Sequence, residues 1–308
     1  MHRDLTEPEA KHLDGNGRAD HVTYPSLDEF LNANRGNGLK GPLALVFAED
    51  EIALDETLNH LVRRGFDPVL ALIPDSFTLS SDTAGAVHRI QFDCTRENVF
   101  EAVNATIDAA PGSWIHYCYN AEFLFYPFCE TRSVSELLTF HAEERRESML
   151  TYVVDLYAGD LQKYPDAVSL DDAMFDGSGY YALNRPETET GHPRDRQLDF
   201  FGGLRWRFEE HVPKGSRRID RISLFRAKRG LPLLRDHTFS EPEYNTYACS
   251  WHHNLTATVC SFRAAKALKC NPGSAAAIAS FHWQKSVPFE WTSQQLLDFG
   301  LMEPGQWF

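Results

Sequence analysis

The sequence predicts an α/β protein with a mostly parallel sheet flanked by helices. Its first half alternates short apolar runs with segments whose apolar residues recur at helical spacing. Glycine and proline separate these segments at the places where a chain turns. Consecutive parallel strands need a crossover, usually a helix, so this alternation is typical of strand–helix–strand units.

The first such unit is predicted within residues 42–73. Residues 42–47 form a compact apolar run, as expected of a fully buried strand. Leucines recur at helical spacing through residues 51–64, and Gly65 is a suitable C-cap for that helix. A second apolar run at residues 68–73 completes the unit.

The alternation continues through a second helix and two more strands. Residues 87–92 and 114–127 are predicted strands, and residues 96–109 place their apolar side chains on one helix face. In parallel sheets of this kind, ligands bind beyond the carboxyl ends of the strands. Here those ends are residues 48–51, 74–76 and 119–122.

Weaker patterns predict the elements of the second half. The predicted helices are residues 133–148, 275–284 and 293–299, and the predicted strands are residues 149–156, 219–226 and 255–262. Residues 219–226 alternate apolar and polar side chains, so we expect a half-buried strand at best. Residues 158–200 are broken by Gly and Pro and are expected to form a variable loop or lid.

The chain is predicted to consist of an arm, a domain and a short tail. Residues 1–40 are polar and rich in Asp, Asn and Gly, which predicts a loose N-terminal arm. One short helix is expected there at residues 26–32, with Ser26 as its N-cap. Residues 41–302 are predicted to form a single folded domain, and residues 303–308 a tail.

The composition of the chain limits the classes of function that it can have. The net charge of −14 and the sequence pI of about 5.4 are opposite to the balance of nucleic-acid-binding proteins, so no nucleic-acid partner is expected. The six cysteines form no Cys-x-x-Cys pair, which predicts free thiols in a reducing cytoplasm. We recognise no signal-peptide core and no apolar run of about 20 residues, so neither export nor a transmembrane segment is expected.

One basic cluster stands out in this acidic chain. Seven Lys and Arg residues lie between positions 214 and 229. They are predicted either to face an anionic membrane surface or polyanionic glycan, or to form an ordinary solvated face.

Four segments carry a resemblance to known proteins. They are Glu49–Asp67, Trp114–Pro127, Phe201–Arg207 and Ser250–Arg263. In this order they resemble bacterial glycosyltransferases of the family 2-like group. The resemblance implies a GT-A-like, Rossmann-like fold with a nucleotide-binding half at about residues 41–127 and an acceptor half at about 128–302. It also implies transfer of a sugar from a nucleotide-sugar donor to a surface-glycan or lipid-linked acceptor, in the cytoplasm or at the inner face of the membrane.

The second segment departs from the family at its metal motif. The family commonly shows Asp-Ala-Asp-Glu-Phe-Leu there, whose two aspartates hold Mn²⁺ or Mg²⁺ under the donor diphosphate. Here Tyr119 and Ala121 stand at the two aspartate positions, and Glu122 keeps its charge.

Three outcomes follow from this departure. Glu122, with His252 or His253, could hold a metal ion in a modified way. Arg205 and Arg207 could instead replace the metal as phosphate clamps. In the third outcome the site no longer turns over, and the chain is a non-catalytic nucleotide- or glycan-binding protein that kept the GT-A fold.

Other polar residues at the predicted strand ends are donor-binding candidates. This set comprises Glu49, Asp50, Asp75, Tyr119 and Asn120, with ordinary capping or strand-end packing as the alternative. Sugar transfer by direct displacement also needs a general base for the acceptor hydroxyl. The candidates for that role, by location only, are Asp155, Asp176, Asp199 and Glu209.

Overall fold

The structure of the 308-residue chain is a computed structural model. It describes residues 23–35, 39, 41–249 and 252–307. Most of the predicted N-terminal arm, Ser250 and Trp251 of the fourth segment, and Phe308 of the tail lie outside the described residues.

A large mixed sheet of eleven strands forms the centre of the described part of the chain. Its strands are β1 (Thr23–Tyr24), β2 (Leu43–Phe47), β3 (Val69–Ile73), β4 (His88–Gln91), β5 (Trp114–Tyr119), β6 (Glu122–Phe125), β7 (Ser148–Ala158), β8 (Ala173–Asp176), β11 (Asp220–Arg226), β12 (Ala257–Ser261) and β13 (Ser286–Pro288). A separate antiparallel ribbon pairs β9 (Tyr181–Pro186) with β10 (Pro193–Phe201).

The main path of the sheet has the order β1-β4-β3-β2-β5-β11-β7-β12-β6, and β8 and β13 continue from β7. The pairs from β1 to β5 are parallel, and so is the pair of β7 with β12. β11 runs antiparallel to both of its neighbours, and β6 runs antiparallel to β12. The fold is therefore α/β with a mostly parallel sheet, compatible with a Rossmann-like architecture.

Helices cover the faces of this sheet. In the described part of the chain they are α1 (Leu27–Ala33), α2 (Leu54–Arg64), α3 (Ser81–Ala84), α4 (Arg96–Ala109), α5 (Val134–Glu143), α6 (Gly203–Arg207), α7 (Arg263–Cys270), α8 (Pro272–Ala275) and α9 (Ser293–Asp298), with three 3-10 turns at Glu209–His211, Lys214–Ser216 and Pro242–Asn245. Among the described residues, none of the helices has the length and apolar character required to cross a bilayer.

Three of the four strands predicted in the first half, those over residues 42–47, 68–73 and 87–92, are confirmed as β2, β3 and β4. Every residue of β2 and β3 is buried, because each strand packs against helices on both faces of the sheet. Val46 belongs to one apolar core with α2, whereas Leu45 and Phe47 belong to a second core with α4. α2 ends as predicted at Gly65, whose positive φ of 93° lets its N–H reach the last helical carbonyls.

The predicted strand over residues 114–127 is two strands. β5 ends at Tyr119 and β6 begins at Glu122, so Asn120 and Ala121 turn the chain between them. Ala121 adopts a positive φ of 59°, a strained conformation for a side chain with a Cβ. This turn sends β6 to the far edge of the sheet beside β12.

Three predictions for the second half were wrong. Residues 219–226 form the fully interior strand β11, buried except for Arg226, rather than a half-buried strand. Residues 158–200 contain β8, β9 and β10 rather than a loop alone. The helix predicted at residues 275–284 is the short α8, which begins at Pro272 and ends at Ala275.

Candidate functional site

The candidate site lies at the carboxyl ends of β2 and β5. These neighbouring strands mark the point where the sheet order reverses, since β3 and β4 follow on one side and β11 on the other. Crevices at such switch points are the usual ligand sites of open α/β sheets. The predicted residues Glu49, Asp50 and Asn120 meet here.

Asn120 fixes the two strand ends to each other. Its buried side-chain oxygen accepts a hydrogen bond from the Glu49 N–H at 2.9 Å. Its Nδ2 donates to Asp50 Oδ1 at 2.6 Å and to the carbonyl of Ile52 at 3.0 Å. Asn120 is therefore a positioning residue in this structure, and its predicted contact to a base or sugar stays a prediction.

Arg263 projects into the same crevice from the first residue of α7, directly after β12. Its Nε and Nη2 donate to the two carboxylate oxygens of Glu49, each at 2.6 Å. Its Cζ lies 3.6 Å from the centroid of the Tyr119 ring, so the guanidinium stacks on that ring. Tyr119, one of the two replacements in the metal motif, thus serves as a platform for a cation.

Two cavities adjoin this ion pair. The small cavity has a volume of about 180 Å³ and the large cavity about 430 Å³. Both are lined by Glu49, Arg205, Ser216 and Arg263. The Glu49–Arg263 pair is therefore part of the wall that the two cavities share.

The small cavity combines positive charge with an aromatic wall. Its lining includes four arginines, namely Arg96, Arg205, Arg218 and Arg263, and three acids, Glu49, Asp220 and Asp236. Phe100, Tyr119 and His237 supply flat rings. Burial, reinforced by the nearby arginines, holds the pKa of His237 well below its usual value, so this imidazole is neutral. The cavity suits a flat ring joined to an anion.

The large cavity has a polar end and an apolar end. Lys266 is 4% exposed, and its Nζ donates to Asp50 at 2.8 and 3.0 Å. Val212 and Leu268 line the apolar part. Asp50 therefore lies at the cavity wall with its charge neutralised by Lys266.

Glu122, predicted as a metal ligand or donor contact, is sealed inside the protein. Its carboxylate accepts hydrogen bonds from Arg221 Nη2 at 2.7 Å, from the Tyr119 N–H at 2.9 Å and from Ser261 Oγ at 3.1 Å. Burial works to raise the pKa of Glu122, but Arg221 and Arg263 outweigh it and leave that pKa below its usual value. Glu122 is thus an ionised partner of Arg221.

The residues present do not fit the divalent cation that the resemblance implies. Glu122 is neutralised by Arg221, and Ala121 offers no side-chain ligand. The Tyr119 phenol has its pKa raised by burial, so it stays protonated. Across the ranges that the structure describes, no three His, Cys, Asp or Glu side chains are grouped so that they could hold a metal ion.

The predicted histidine ligands lie at the other end of β12. Ser261, the last residue of that strand, pairs with Glu122, whereas His252 and His253 precede the first residue, Ala257. His252 Nδ1 is 3.0 Å from the sulfur of Cys249, and His253 Nδ1 is 4.0 Å from Glu303. The structure therefore does not bring either histidine to Glu122.

All four carboxylates predicted as general bases are paired with arginines. Asp155 is fully buried and accepts from Arg205 Nε at 3.1 Å, and burial raises the pKa of Asp155. The other pairs are Asp176 with Arg207, Asp199 with Arg185 and Arg218, and Glu209 with Arg217. These carboxylates hold neighbouring elements together, as Asp155 does for β7 and α6.

The two predicted phosphate clamps have different positions. Arg205 and Arg207 lie on α6 rather than on an extended segment. Arg205 lines both cavities, whereas Arg207 donates to Asp176 and to the carbonyl of Phe281. Asp75, a further predicted donor contact, is exposed in the turn after β3 and lines neither cavity.

The basic cluster at residues 214–229 is spread through the fold. Five of its seven residues form ion pairs in the described chain, and one of these, Arg221, is 5% exposed inside the sheet. Arg218 reaches the small cavity. Arg226 instead pairs with the first residue of β5, at the strand end away from the crevice. These seven residues are close in sequence, but they do not form one basic surface.

Most of the cationic residues of the site were not predicted from the sequence. Arg96 follows the capping residue Thr95 at the start of α4, and Arg263 and Lys266 belong to α7. Arg263 comes two residues after the carboxyl end of β12. The strand-end rule that singled out Glu49 and Asp50 would have found Arg263 if it had been applied to this later strand.

Comparison with known proteins adds no family assignment. Neither a scan against protein-family models nor a search of the curated proteins finds a match for this chain. The fold and site define an α/β protein with a mostly parallel mixed sheet, compatible with a Rossmann-like architecture, and an arginine-rich crevice at its switch point.

Proposed function

We propose that this protein is a glycosyltransferase that binds its nucleotide-sugar donor without a divalent cation, through arginines at the switch point of the sheet. The observation that carries the proposal is the placement of Arg263. Its guanidinium is stacked on Tyr119 between two cavities, at the edge where α/β sheets bind ligands.

The small cavity is the proposed site of the nucleoside. Phe100 and the neutral His237, whose ring centroids are 5.1 Å apart and whose planes are tilted by 49°, supply two aromatic faces, against either of which a base can pack. The diphosphate would then lie at Arg263 and Arg205, which both cavities share. Guanidinium groups bind phosphate oxygens in pairs, and this supplies the charge neutralisation that a metal ion gives elsewhere.

The large cavity is the proposed site of the donor sugar and the acceptor. Its polar end at Asp50 and Lys266 can hydrogen-bond hydroxyl groups, and its apolar end can cover the carbon-bound face of a sugar ring. A surface-glycan or lipid-linked acceptor remains the expectation from the resemblance in sequence.

The second candidate function is a non-catalytic nucleotide- or glycan-binding protein. The observation that favours it is the pairing of Asp155, Asp199 and Glu209 with arginines, which leaves none of these predicted bases free. Such a protein would bind the same ligands in the same crevice but would not turn them over.

A thermal-shift screen with UDP, GDP, CMP and dTDP sugars, each with Mn²⁺ and with EDTA, tests the proposal. A ligand at one hundred times its Kd stabilises the native state by about 2.7 kcal/mol. We expect one nucleotide class to raise the melting temperature equally in both conditions. The Arg263→Gln variant should lose this shift. The Arg226→Gln variant should keep it, because Arg226 pairs with the first residue of β5, at the strand end away from the crevice.

Three results would count against the proposal. A shift that requires Mn²⁺ would contradict metal-free binding, and no shift with any donor would contradict nucleotide-sugar binding altogether. A donor that raises the melting temperature but releases no free nucleotide with any of the glycan acceptors tested would favour the non-catalytic alternative.

A further inference from the structure

Glu49 is the carboxylate at the junction of the two cavities. It follows β2 at the carboxyl edge of the sheet, and the side chain of Asn120 fixes its backbone N–H at 2.9 Å. Its side chain is one-third exposed and lines both the small and the large cavity. A group in this position can reach ligands on either side of the shared wall.

We infer that Glu49 is the general base of the sugar transfer, held on Arg263 in the free protein and released when the donor diphosphate takes its place. This inference rests on the proposed function and goes beyond it by assigning the residue that receives the acceptor proton.

The exchange follows from how Arg263 is held. The stacking on Tyr119 fixes the plane of the guanidinium, and Glu49 occupies its Nε–Nη2 edge with two hydrogen bonds of 2.6 Å. A phosphate group presents the same pair of oxygens to such an edge and carries more charge. Because both side chains of the ion pair are one-third exposed, water screens the attraction that the phosphate must overcome.

The other carboxylates near the crevice lack this freedom. Asp155 is fully buried against Arg205, and Asp50 is held by Lys266 and Asn120. The diphosphate would also meet Arg205, but Asp155 is buried and lines neither cavity, so it cannot reach an acceptor. Asp220 and Asp236 line only the small cavity. Glu49 thus combines a partner that the ligand takes with a place on the cavity proposed for the acceptor.

The reaction step balances with the residues and ligands named. The acceptor hydroxyl gives its proton to the Glu49 carboxylate while its oxygen forms a bond to the anomeric carbon of the donor sugar. The bond from that carbon to the diphosphate oxygen breaks, and the nucleoside diphosphate leaves with the electron pair. Arg263 and Arg205 stabilise the charge on the leaving group.

The test compares Glu49→Gln with the wild type in two measurements. The Kd for inorganic pyrophosphate, measured by titration calorimetry, should be at least about threefold lower for the variant than for the wild type. The reason is that the Arg263 guanidinium no longer holds a competing carboxylate. Sugar transfer, followed as release of nucleotide from the donor that the thermal-shift screen identifies, should fall at least about a hundredfold in kcat, with an unchanged or lower KM for that donor. Tighter binding together with lost turnover is not expected of a residue that only supports the fold.

Two further variants control the test. Glu147→Gln removes an exposed carboxylate 3.5 Å from Arg226, which pairs with the first residue of β5 at the strand end away from the crevice, and it should change neither measurement. Glu49→Ala should regain part of the transfer rate when formate is added, since a small carboxylate can occupy the vacated space. The Ala variant also keeps the test valid if Glu49→Gln folds poorly.

The outcomes separate the inference from the proposed function. Unchanged or weaker pyrophosphate binding by Glu49→Gln overturns the inference, and so does retained sugar transfer in that variant. A wild type that binds pyrophosphate but transfers no sugar overturns the proposed function, and the base assignment with it.

Discussion

Glu122 and Arg221 form an ion pair inside the sheet, with Oε2 and Nη2 2.7 Å apart and both side chains at most 5% exposed. The pair joins the first residue of β6 to β11, and the Tyr119 N–H and the Ser261 hydroxyl complete its hydrogen bonds. The charge that resembles a metal ligand in the sequence is thus part of the framework beneath the crevice.

Replacing Glu122 with Gln should destabilise the fold strongly. The substitution leaves the Arg221 guanidinium buried without a counter-charge, which costs about 3–5 kcal/mol. Urea unfolding followed by tryptophan fluorescence measures the loss. The control Glu147→Gln breaks an exposed pair with Arg226 and should cost at most about 1 kcal/mol. Equal losses in the two variants would mean that burial does not govern this ion pair.

The stabilisation from Glu122 should depend on pH with a definite sign. Its folded pKa lies below the unfolded value of about 4.3, so the stabilisation is complete above that pH and is lost as the pH falls through the folded pKa. The difference in melting temperature between the wild type and Glu122→Gln should therefore shrink on going from about pH 6 to pH 3.

Asp155 provides the opposite case for the same measurement. Burial raises its folded pKa, so its contribution is complete below the unfolded pKa and falls as the pH rises through the folded pKa. The melting temperature of the wild type should then fall relative to that of Asp155→Asn on going from about pH 4 to pH 7. Parallel trends in the two variants would contradict the assigned pKa directions.

Asn120 should tolerate a neutral change better than a charged one. Asn120→Ala leaves the Glu49 N–H without its acceptor and should cost about 1–3 kcal/mol. Asn120→Asp keeps that acceptor but puts a buried carboxylate 2.6 Å from Asp50, where the amide now donates. We expect the Asp variant to be the less stable at pH 7 and to recover part of its deficit at pH 4. A more stable Asp variant at pH 7 would show that the amide donor is dispensable.

Gly202 should not accept a larger side chain. A Cβ there would lie 2.2 Å from Cδ1 of Tyr180, so the ring or α6 must move, and Arg205 moves with α6. Gly202→Ala should cost about 1–3 kcal/mol and weaken pyrophosphate binding. Gly112→Ala is the matched control, because a Cβ there meets nothing within 4 Å at a φ of +88°. It should lose about 1 kcal/mol from backbone strain and keep its affinity.

Local patterns were enough to predict the first half of the sheet. A buried parallel strand needs only a short apolar run, and α2 carries its own stop signal in Gly65, so β2, β3, β4, α2 and α4 were placed correctly. The strand predicted over residues 114–127 ran on through the turn after β5, and the short α3 was not predicted. The same reasoning placed Glu49, Asp50 and Asn120 at one edge of the sheet.

Long-range partners explain why β11 was misjudged. Its charged residues Asp220 and Arg221 suggested a solvent face, but they pair with Arg185, 35 residues away, and with Glu122, 99 residues away. Partners at such distances along the chain leave no periodic signal. The crevice depends on pairings of the same kind, since Arg263 meets Glu49 across 214 residues.

The position of β11 has a consequence for the order in which the protein can mature during synthesis. β5 lacks its second neighbour until residues 220–226 have emerged from the ribosome, so the early half-sheet exposes an unpaired edge for about a hundred residues of translation. Arg263 emerges later still. Nascent chains and truncated products therefore expose an unpaired, aggregation-prone strand edge before the crevice has formed. This predicts that folding depends on chaperones well before any ligand can bind.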